Sequence, residues 1–389
     1  MREESSVAMP SRAWALAAAV LAALIALTAL AAAPVADAKS KKSVKVKVMT
    51  RNIFLGADLG PGLEANGAEE FIAAAGEIFR EVDQTNFPLR AKGLAAEVKQ
   101  KKPDLIGLQE VALWRTGPVD IQAALTNTPK ATEVRYDFLQ ILLDELKAKG
   151  LKYKAVAVKE EFDFEGPADT DGNPATGGFA GAELNGRLTM RDVILVNKDS
   201  KVDAKLKNGQ SGTYSNLFTP VVGGIVPVPV TRGWTAGDVT VSKGKGKHEV
   251  TRKFRFVNTH FEAFDDETQV PSIRAQQAAE VLGVVANKKT TILLGDFNSN
   301  VPGVQPGDEQ AYQTLLDGGF SQRSIVEPIT CCVSNLFTSP QSEFDHQVDH
   351  IMSNTNKVKL VNSSATGRDQ VNGIYNSDHA GVFSTLKLK

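Results

Sequence analysis

The chain has 389 residues, of which 42% are hydrophobic, and its 44 basic and 45 acidic side chains nearly cancel. A chain of this length can bury a large core, and an α/β fold of this size can form a single domain. The balanced charge excludes the strongly basic surface that drives non-specific nucleic-acid binding, although an enzyme that contacts a few phosphates remains compatible with it.

Residues 1–38 differ from the rest of the chain and predict a secretory signal peptide. A basic start precedes an apolar run over residues 13–33, and the small residues Ala36 and Ala38 form a cleavage pattern. The alternative is a retained membrane anchor, because about 20 apolar residues can span a bilayer; the cleavage pattern favours removal. We therefore expect a secreted protein whose residues 39–389 form one domain without a transmembrane segment.

The remaining chain alternates between predicted strands and predicted helices. We expect strands at 44–52, 104–110, 152–158, 191–197, 253–260, from 290, and at 347–352, 357–363 and 381–387. We expect helices at 68–81, 89–101, 134–149, from a cap at Ser272 to about Asn287, and at 308–316. A long loop is predicted at 160–187, and residues 201–258 predict further strands with turns at Gly209, Gly223-Gly224 and 243–248. This order predicts a mixed α/β fold with antiparallel content.

The two cysteines of the chain, Cys331 and Cys332, are neighbours, so a disulfide framework is excluded. A vicinal disulfide would be strained, because adjacent Cα atoms lie closer than disulfide-bonded residues usually do. The pair is therefore either a strained disulfide or two buried thiols, and the sequence leaves both alternatives open. No Cys/His spacing suggests zinc.

Five predicted strands carry a polar side chain on the face that holds their apolar residues, because side chains two apart share a face. These residues are Asn52, Glu110, His260, Asp296 and Asp349. A buried carboxylate is costly unless it is paired or binds a metal, so we expect the five to meet in one cluster at a sheet edge. The oxygen ligands suit Mg²⁺ or Mn²⁺, and their combination with histidines suggests phosphoryl chemistry.

Ser377, Asp378 and His379 stand just before the last predicted strand. On their own they are typical of a turn. Together with Asp349 and the sequence GDFN at 295–298 they indicate a catalytic pair that the turn carries to the mouth of the strand. His350 alternates with Asp349 and is expected to face away from it.

Seven motifs in order resemble the endonuclease/exonuclease/phosphatase superfamily. They are MTRNIFLGADL, PDLIGLQEV, RDVILVN, FVNTHFEAF, LLGDFNSN, QVDHIM and NSDHAGV. The superfamily includes pancreatic-type deoxyribonucleases, abasic-site endonucleases, sphingomyelinases and inositol-polyphosphate phosphatases, and the first motif is most similar to exported bacterial members. The resemblance, which runs from about residue 44 to 387, implies a four-layer sandwich of two packed mixed β-sheets flanked by helices.

The resemblance also implies roles at the metal and at the phosphate. Glu110 matches the principal Mg²⁺ ligand, Asn52 the amide that assists it, and Asp378 a further metal or water contact. Arg191 or Asp192 is expected to contact the phosphate of the substrate.

Other positions match the residues that carry out the reaction. Asp296 and Asn298 match the pair that orients or deprotonates the attacking water. His379 matches the imidazole that hydrogen-bonds the scissile phosphate, and Asp349 matches the carboxylate that orients it. His260 matches a histidine of the nuclease and sphingomyelinase branches, for which a general-acid role has been proposed.

We therefore expect a secreted Mg²⁺- or Mn²⁺-dependent phosphodiester hydrolase, with a nuclease as the first subclass and no stable protein partner. Phe54 stands where abasic-site enzymes carry an aspartate, which argues against that substrate. The alternative is a sphingomyelinase- or phospholipase-C-like enzyme that recognises a phospholipid headgroup, because residues 218–230 could form a lipid-facing apolar hairpin; an interior strand pair is the competing interpretation. A catalytically dead binding module is disfavoured by the intact set of polar residues.

Overall fold

Two mixed β-sheets pack face to face at the centre of the protein, and helices cover their outer faces. The computed structural model describes residues 43–200, 205–265, 269–285, 289–303, 307–327 and 329–389, which belong to one structural unit from Ser43 to Lys389. The predicted signal peptide lies outside the described residues. Within the described ranges, no helix is long and apolar enough to cross a membrane.

The strands divide between two large sheets and one small hairpin. In chain order they are β1 (Val44–Asn52), β2 (Leu105–Gln109), β3 (Leu113–Gly117), β4 (Glu133–Asp137), β5 (Tyr153–Ala168), β6 (Leu184–Asn197), β7 (Lys205–Thr213), β8 (Val221–Val222), β9 (Val226–Pro227), β10 (Gly233–Lys243), β11 (Val250–His260), β12 (Thr291–Asp296), β13 (Ser321–Gln322), β14 (Asp349–Ser353), β15 (Val358–Thr366) and β16 (Gly381–Leu388). The first sheet has the order β15-β16-β1-β2-β6-β3-β4, with β5 paired to β6. The second has the order β13-β14-β12-β11-β10-β7. Parallel pairing occurs between β1 and β2 and between β11 and β12.

Seven α-helices connect the described strands or precede them. They are α1 (Gly60–Glu64), α2 (Ala68–Gln84), α3 (Phe87–Lys101), α4 (Ile121–Leu125), α5 (Phe138–Ala148), α6 (Ile273–Val285) and α7 (Gln310–Asp317). Single 3₁₀ turns lie at Phe179–Gly181, Gly246–His248 and Gln341–Glu343. Ser272 caps α6 as predicted, because its Oγ accepts a hydrogen bond from the amide of Ala275 at 3.3 Å.

The inner faces of the two sheets form one apolar layer. The first sheet contributes Val44, Val46 and Val48 of β1, and the second contributes Phe254, Phe256, Ile292 and Leu294. These side chains are buried, and they alternate with residues that face the helices, as side chains on a strand must. The packing of two sheets through this layer positions the strand ends of both sheets next to each other.

The outer faces of the sheets are covered by separate helical layers. Phe87 of α3 and Phe138 of α5 pack on the first sheet, and their rings stack with centroids 3.6 Å apart. Helices α6 and α7 cover the second sheet through residues such as Val281 and Leu315. The four-layer sandwich that the resemblance implies is therefore confirmed.

Three predicted segments differ from the structure. The helix predicted at 134–149 begins only at Phe138, because Asp137 caps it by accepting hydrogen bonds from Leu139 and Gln140, and the preceding residues form β4. The long loop predicted at 160–187 shrinks to 169–183, because β5 and β6 pair along most of their length despite their charged residues and glycines. Gly209 lies inside β7 and does not form a turn.

The apolar stretch at 218–230 forms the small hairpin β8–β9, with Gly223 and Gly224 in the turn at positive φ. Its side chains divide between the core and the surface. Val228 is buried, whereas Val221 and Ile225 are 53% and 57% exposed. The stretch is therefore a hairpin with one buried and one exposed apolar face, and its contact with lipid stays a prediction.

Candidate active site

The ends of five strands meet at one edge of the sandwich. Asn52 at the end of β1 lies beside Gln109 at the end of β2, and His260, Asp296 and Asp349 form a row across β11, β12 and β14. The two groups touch, because the side-chain amide of Asn52 donates to Asp296 Oδ2 at 3.0 Å. The side-chain amide of Gln109 also donates to Asn258 Oδ1 at 2.6 Å, so hydrogen bonds from both β1 and β2 join the polar ends of the two sheets.

Alternation along the strands brings four of the five predicted residues to this edge. Asn52, His260, Asp296 and Asp349 each lie on the inner face of their strand, on which Val48, Phe256, Leu294 and Ile351 form the apolar layer. His350, with the opposite parity, packs against Tyr312 and Phe297 in the helical layer. The strand pattern is therefore sufficient to place these side chains.

Glu110 reaches the site in a different way from the one predicted. Ile106 and Leu108 of β2 face the helices, while Leu105 faces the second sheet, so alternation would direct residue 110 toward the helical layer. Glu110 lies beyond the strand with a φ of 56°, in the left-handed region that few non-glycine residues occupy. Its carboxylate accepts hydrogen bonds from the Asn52 side chain at 3.0 Å and from the amide of Leu55 at 2.8 Å.

The predicted pair of Asp349 and His379 is in contact. His379 Nδ1 lies 2.9 Å from Asp349 Oδ2, and its Nε2 lies 3.5 Å from Asp296 Oδ2. Burial lowers the pKa of His379, but the nearby charges of Asp349, Asp296 and Asp378 outweigh burial and raise it well above the ordinary value. His379 is therefore suited to remain a charged donor toward an anionic substrate.

His260 has the opposite character. Its Nδ1 lies 3.2 Å from Arg232 Nη1, and because a guanidinium only donates, Nδ1 accepts and the ring hydrogen lies on Nε2. Nε2 in turn lies 3.6 Å from Asp296 Oδ2. Burial, with Arg232 and His379, lowers the pKa of His260 well below its ordinary value. A neutral imidazole of this tautomer can donate a hydrogen bond, but it does not carry the proton of an imidazolium acid.

The turn that carries His379 is fixed by buried arginines that the sequence interpretation missed. Arg51 forms an ion pair with Glu97 at 3.1 Å and donates to the carbonyl of His379. Arg90 donates to the carbonyls of Ile53 at 2.8 Å and Asn376 at 3.1 Å. Arg51 could have been noticed, because it is a charged residue directly before Asn52 at the end of β1.

Asn298 and the pair Arg191-Asp192 are placed differently from one another. The amide of Asn298 donates to Asp296 Oδ1 at 2.9 Å, so Asn298 lies beside the cluster. Arg191 points away from it: its guanidinium donates to the carbonyl of Val111 at 2.9 Å and to Asp137 at 2.6 Å. The structure thus does not bring Arg191 to the site.

Asp192 lies in a buried charged group behind the site. It is fully buried, and no hydrogen-bond partner is found for either carboxylate oxygen among the described residues. Burial, followed by the charge of Glu161, raises its pKa well above the ordinary value, and burial raises the pKa of Glu161 to about 8. Arg232 lies 3.6 Å from Glu262. Because Glu262 stands two residues after His260, the alternation that predicts the position of His260 also indicates Glu262.

Glu110 and Asp378 line a pocket of about 420 Å³. Burial and then the charge of Asp378 raise the pKa of Glu110, and burial also raises that of Asp378. Like charges held together in this way fit a hard divalent cation, which would neutralise them. A second group that could hold a metal consists of Asp296, Asp349 and His379. The donor set among the described residues therefore fits the metal that the sequence predicts.

The walls of the same pocket are mostly apolar. They include Phe54, Leu59, Leu63, Phe162, Met190, Val230, Phe264, Leu336 and Phe337. Among the described residues that line the pocket, Arg232 is the one basic side chain, and it is buried against Glu262. The pocket thus combines an acidic floor with walls that suit an aromatic or apolar group.

Comparisons with known proteins identify the family and agree with the fold. The model of the endonuclease/exonuclease/phosphatase family matches residues 75–379. An endonuclease/exonuclease/phosphatase family protein from Bacteroides thetaiotaomicron is similar in structure, with a TM-score of 0.50 and 15% identity over 90% of this chain and 99% of that one. A mannosyl-6-phosphatase from the same species has a TM-score of 0.47 and 16% identity over 88% and 99% of the two chains.

A further structural match is D. rerio TDP2 complexed with a single-strand DNA product, with a TM-score of 0.46 and 16% identity over 88% of this chain and 98% of that one. No curated protein sequence matches the chain.

Proposed function

The chain belongs to the endonuclease/exonuclease/phosphatase family, whose members hydrolyse phosphoesters, and from this premise we propose that it is an exported Mg²⁺-dependent phosphodiester hydrolase. The observation that carries the proposal is the chain of contacts from Asn52 through Asp296 and His379 to Asp349, beside the acidic pocket of Glu110. Export is proposed from the composition of residues 1–38, and Mn²⁺ is the alternative metal.

The proposed reaction is in-line attack of water on phosphorus. Asp296 is placed to polarise the water, because Asn52 donates to its Oδ2 and the amide of Asn298 to its Oδ1. Burial raises the pKa of Asp296, which makes this carboxylate a better proton acceptor than an exposed aspartate. An Mg²⁺ ion held by Glu110 and Asp378, with Asn52 orienting Glu110, would neutralise phosphate charge and stabilise the leaving oxyanion.

The two histidines are proposed to act as donors of different kinds. His379 is charged and oriented by Asp349, so it can hydrogen-bond a non-bridging oxygen of the phosphate in the ground state and more strongly as charge develops. His260 contributes a neutral Nε2–H beside Asp296. This division differs from a general-acid role for His260.

A nuclease is our first substrate proposal. Phe54, Phe264 and Phe337 line the pocket, and aromatic rings of this kind stack on unpaired bases. Because the lining provides little positive charge for a long polyanion, we propose single-stranded or short substrates in preference to duplex DNA.

A lipid phosphodiesterase is the second candidate, and one observation favours it. The β8–β9 hairpin exposes Val221 and Ile225, while Val230 at its base lines the active-site pocket. An apolar tip next to the site could insert into a lipid surface and bring a headgroup to the pocket.

One assay tests the function and separates the two candidates. The protein with Mg²⁺ would be given bis(4-nitrophenyl) phosphate, single-stranded DNA, plasmid DNA, RNA, sphingomyelin vesicles and 4-nitrophenyl phosphate. We expect EDTA-sensitive cleavage of the diesters, with single-stranded DNA or RNA preferred to vesicles. The Asp349→Asn variant should be inactive, whereas Asp345→Asn, at an exposed carboxylate, serves as the matched active control.

Other outcomes would change the proposal. Turnover of sphingomyelin that the double variant V221S/I225S loses, with hydrolysis of the soluble diester intact, would establish the lipid candidate. Hydrolysis of the monoester alone would overturn the phosphodiesterase assignment. Folded protein inactive on all six substrates would overturn the hydrolase proposal and favour a binding module.

A further inference from the structure

The two adjacent cysteines lie against the catalytic histidine. Cys331 and Cys332 are joined as a vicinal disulfide, and Cys332 Sγ is 3.4 Å from His379 Nε2. The other ring nitrogen, Nδ1, contacts Asp349 at 2.9 Å. The imidazole thus has an aspartate at one nitrogen and a cysteine sulfur at the nitrogen that faces Asp296.

Backbone hydrogen bonds tie the cysteine segment to both parts of the catalytic pair. The carbonyl of Thr330 accepts from the amide of Ala380 at 2.7 Å, and its hydroxyl accepts from the amide of Asp349 at 3.3 Å. The amide of Val333 donates to the carbonyl of Asp378 at 3.0 Å. The position of the sulfur relative to His379 is therefore set by contacts on either side of the cysteines.

The oxidation state of the pair changes what this sulfur can offer to the imidazole. A disulfide sulfur has no hydrogen to donate and is a weak acceptor, so it leaves Nε2 for other partners. A thiol can donate to a neutral Nε2, and a thiolate can accept from a protonated one. Reduction therefore gives Nε2 a stronger protein partner in either protonation state of the ring.

We propose that Cys332 is a positioning residue for His379, and that the Cys331–Cys332 pair makes activity depend on its redox state. The disulfide leaves Nε2 of His379 for the phosphate of the substrate, whereas the dithiol holds Nε2 away from it. The proposal rests on the proposed function, since that function assigns His379 to the reaction. The export that residues 1–38 predict would keep the pair oxidised.

The reducing step is an ordinary thiol–disulfide exchange. A dithiol reductant breaks the Sγ–Sγ bond and transfers two electrons and two protons to Cys331 and Cys332, and it becomes its own disulfide. Alkylation followed by mass measurement should find no free thiol in the protein as purified from an oxidising compartment and two after reduction.

The kinetic test compares oxidised and reduced protein with bis(4-nitrophenyl) phosphate. We expect reduction to lower kcat about fivefold, the size of one hydrogen bond's net contribution, with KM changed less than about twofold because the sulfur acts on His379 and not on substrate binding. The Cys331→Ala variant leaves a permanent thiol at Cys332 and should show the lower kcat with or without reductant. The C331A/C332A variant should not respond to reductant.

A second readout does not depend on activity. In the ¹⁵N NMR spectrum, reduction should shift the imidazole signal of His379, assigned with a His379→Gln variant, in the wild-type protein but not in C331A/C332A. If reduction shifts the His379 signal but the protein hydrolyses no substrate, the contact of Cys332 with His379 stands and the proposed function is wrong. Equal kinetics of the oxidised and reduced wild-type protein, or an equal response of C331A/C332A, would overturn the redox proposal.

Discussion

The layer between the two sheets has an apolar half and a polar half, built on the same strands and the same faces. On β12 the change takes two residues, from Leu294 to Asp296, and on β14 it takes two residues in the other direction, from Ile351 to Asp349. The apolar half consists mainly of aliphatic and aromatic side chains, whereas the polar half includes buried carboxylates, such as Asp192, for which no hydrogen-bond partner is found among the described residues.

The core and the site are therefore parts of one continuous layer, but burial has opposite effects on stability in its two halves. Burial of the apolar half stabilises the fold, and the same rigid packing holds polar side chains close together at a cost in stability. A site of this kind is pre-organised, because its groups need not move to meet charge that develops in the substrate. Changes in the two halves should therefore have opposite consequences for stability and activity.

The largest expected effect is on activity, from a change in the polar half. Glu110→Gln removes a charge from the acidic pocket and should lower kcat/KM with Mg²⁺ by at least about a thousandfold, which corresponds to about 4 kcal/mol in the transition state. The free energy of unfolding in EDTA should change by less than about 1 kcal/mol, because a buried charge is lost together with part of its hydrogen bonding. Activity that persists in E110Q would refute the metal assignment.

The counterpart in the apolar half should affect stability instead. Leu294→Ala leaves a cavity between the sheets and should lower the free energy of unfolding by about 3 kcal/mol, measured by urea denaturation. The folded fraction should keep kcat within about threefold of the wild type. Leu360→Ala, at a residue that is 41% exposed, is the control and should cost less than about 0.5 kcal/mol. A large loss of kcat in L294A would show that the two halves are not separable.

The two faces of β14 can be compared through His350. Its Nε2 contacts the carbonyl of Ser299 at 2.9 Å and its Nδ1 contacts the side-chain amide of Gln322 at 3.2 Å, a pattern that suits the neutral ring. Burial lowers its pKa from 6.5 to about 4.

Because the unfolded chain protonates His350 below about pH 6.5 and the folded protein resists this, the free energy of unfolding should fall as pH decreases from 6.5 toward 4. The loss of stability from this group is at most about 3 kcal/mol, and it is absent above pH 6.5. Urea denaturation of wild type and His350→Gln across the window checks it. If both proteins show the same slope, another group is responsible.

The smallest expected effect lies at the boundary between the halves. A Cβ on Gly107 would meet Leu294 Cδ1 at 2.2 Å and Asn258 Oδ1 at 2.3 Å. Gly107→Ala should therefore cost about 2 kcal/mol of stability and also lower kcat several-fold, because Asn258 holds Gln109 beside Asn52. Gly209→Ala meets nothing within 4 Å and should change neither quantity. If kcat is unaltered in G107A, the contact of Asn258 with Gln109 does not affect catalysis, and the site is limited to the residues at the strand ends.

Much of the fold was predictable because local patterns persist in the tertiary structure. The alternation in β1, β11, β12 and β14 predicts both the inner core and the faces of Asn52, His260, Asp296 and Asp349. The prediction failed where pairing overrode composition: β5 carries acidic residues, glycine and proline that are typical of loops, yet it pairs along β6. The start of α5 could have been predicted from its Asp137 cap.

The sequence by itself determined the order of the motifs, the strands that end in polar residues and the chemistry of those residues. Only the tertiary structure decided the route of Glu110, the tautomer of His260 beside Arg232, the orientation of Arg191 away from the site and the contact of Cys332 with His379. The physical reason is that alternation is a property of one strand, whereas a left-handed residue at a strand end and a contact between distant segments depend on how the two sheets pack.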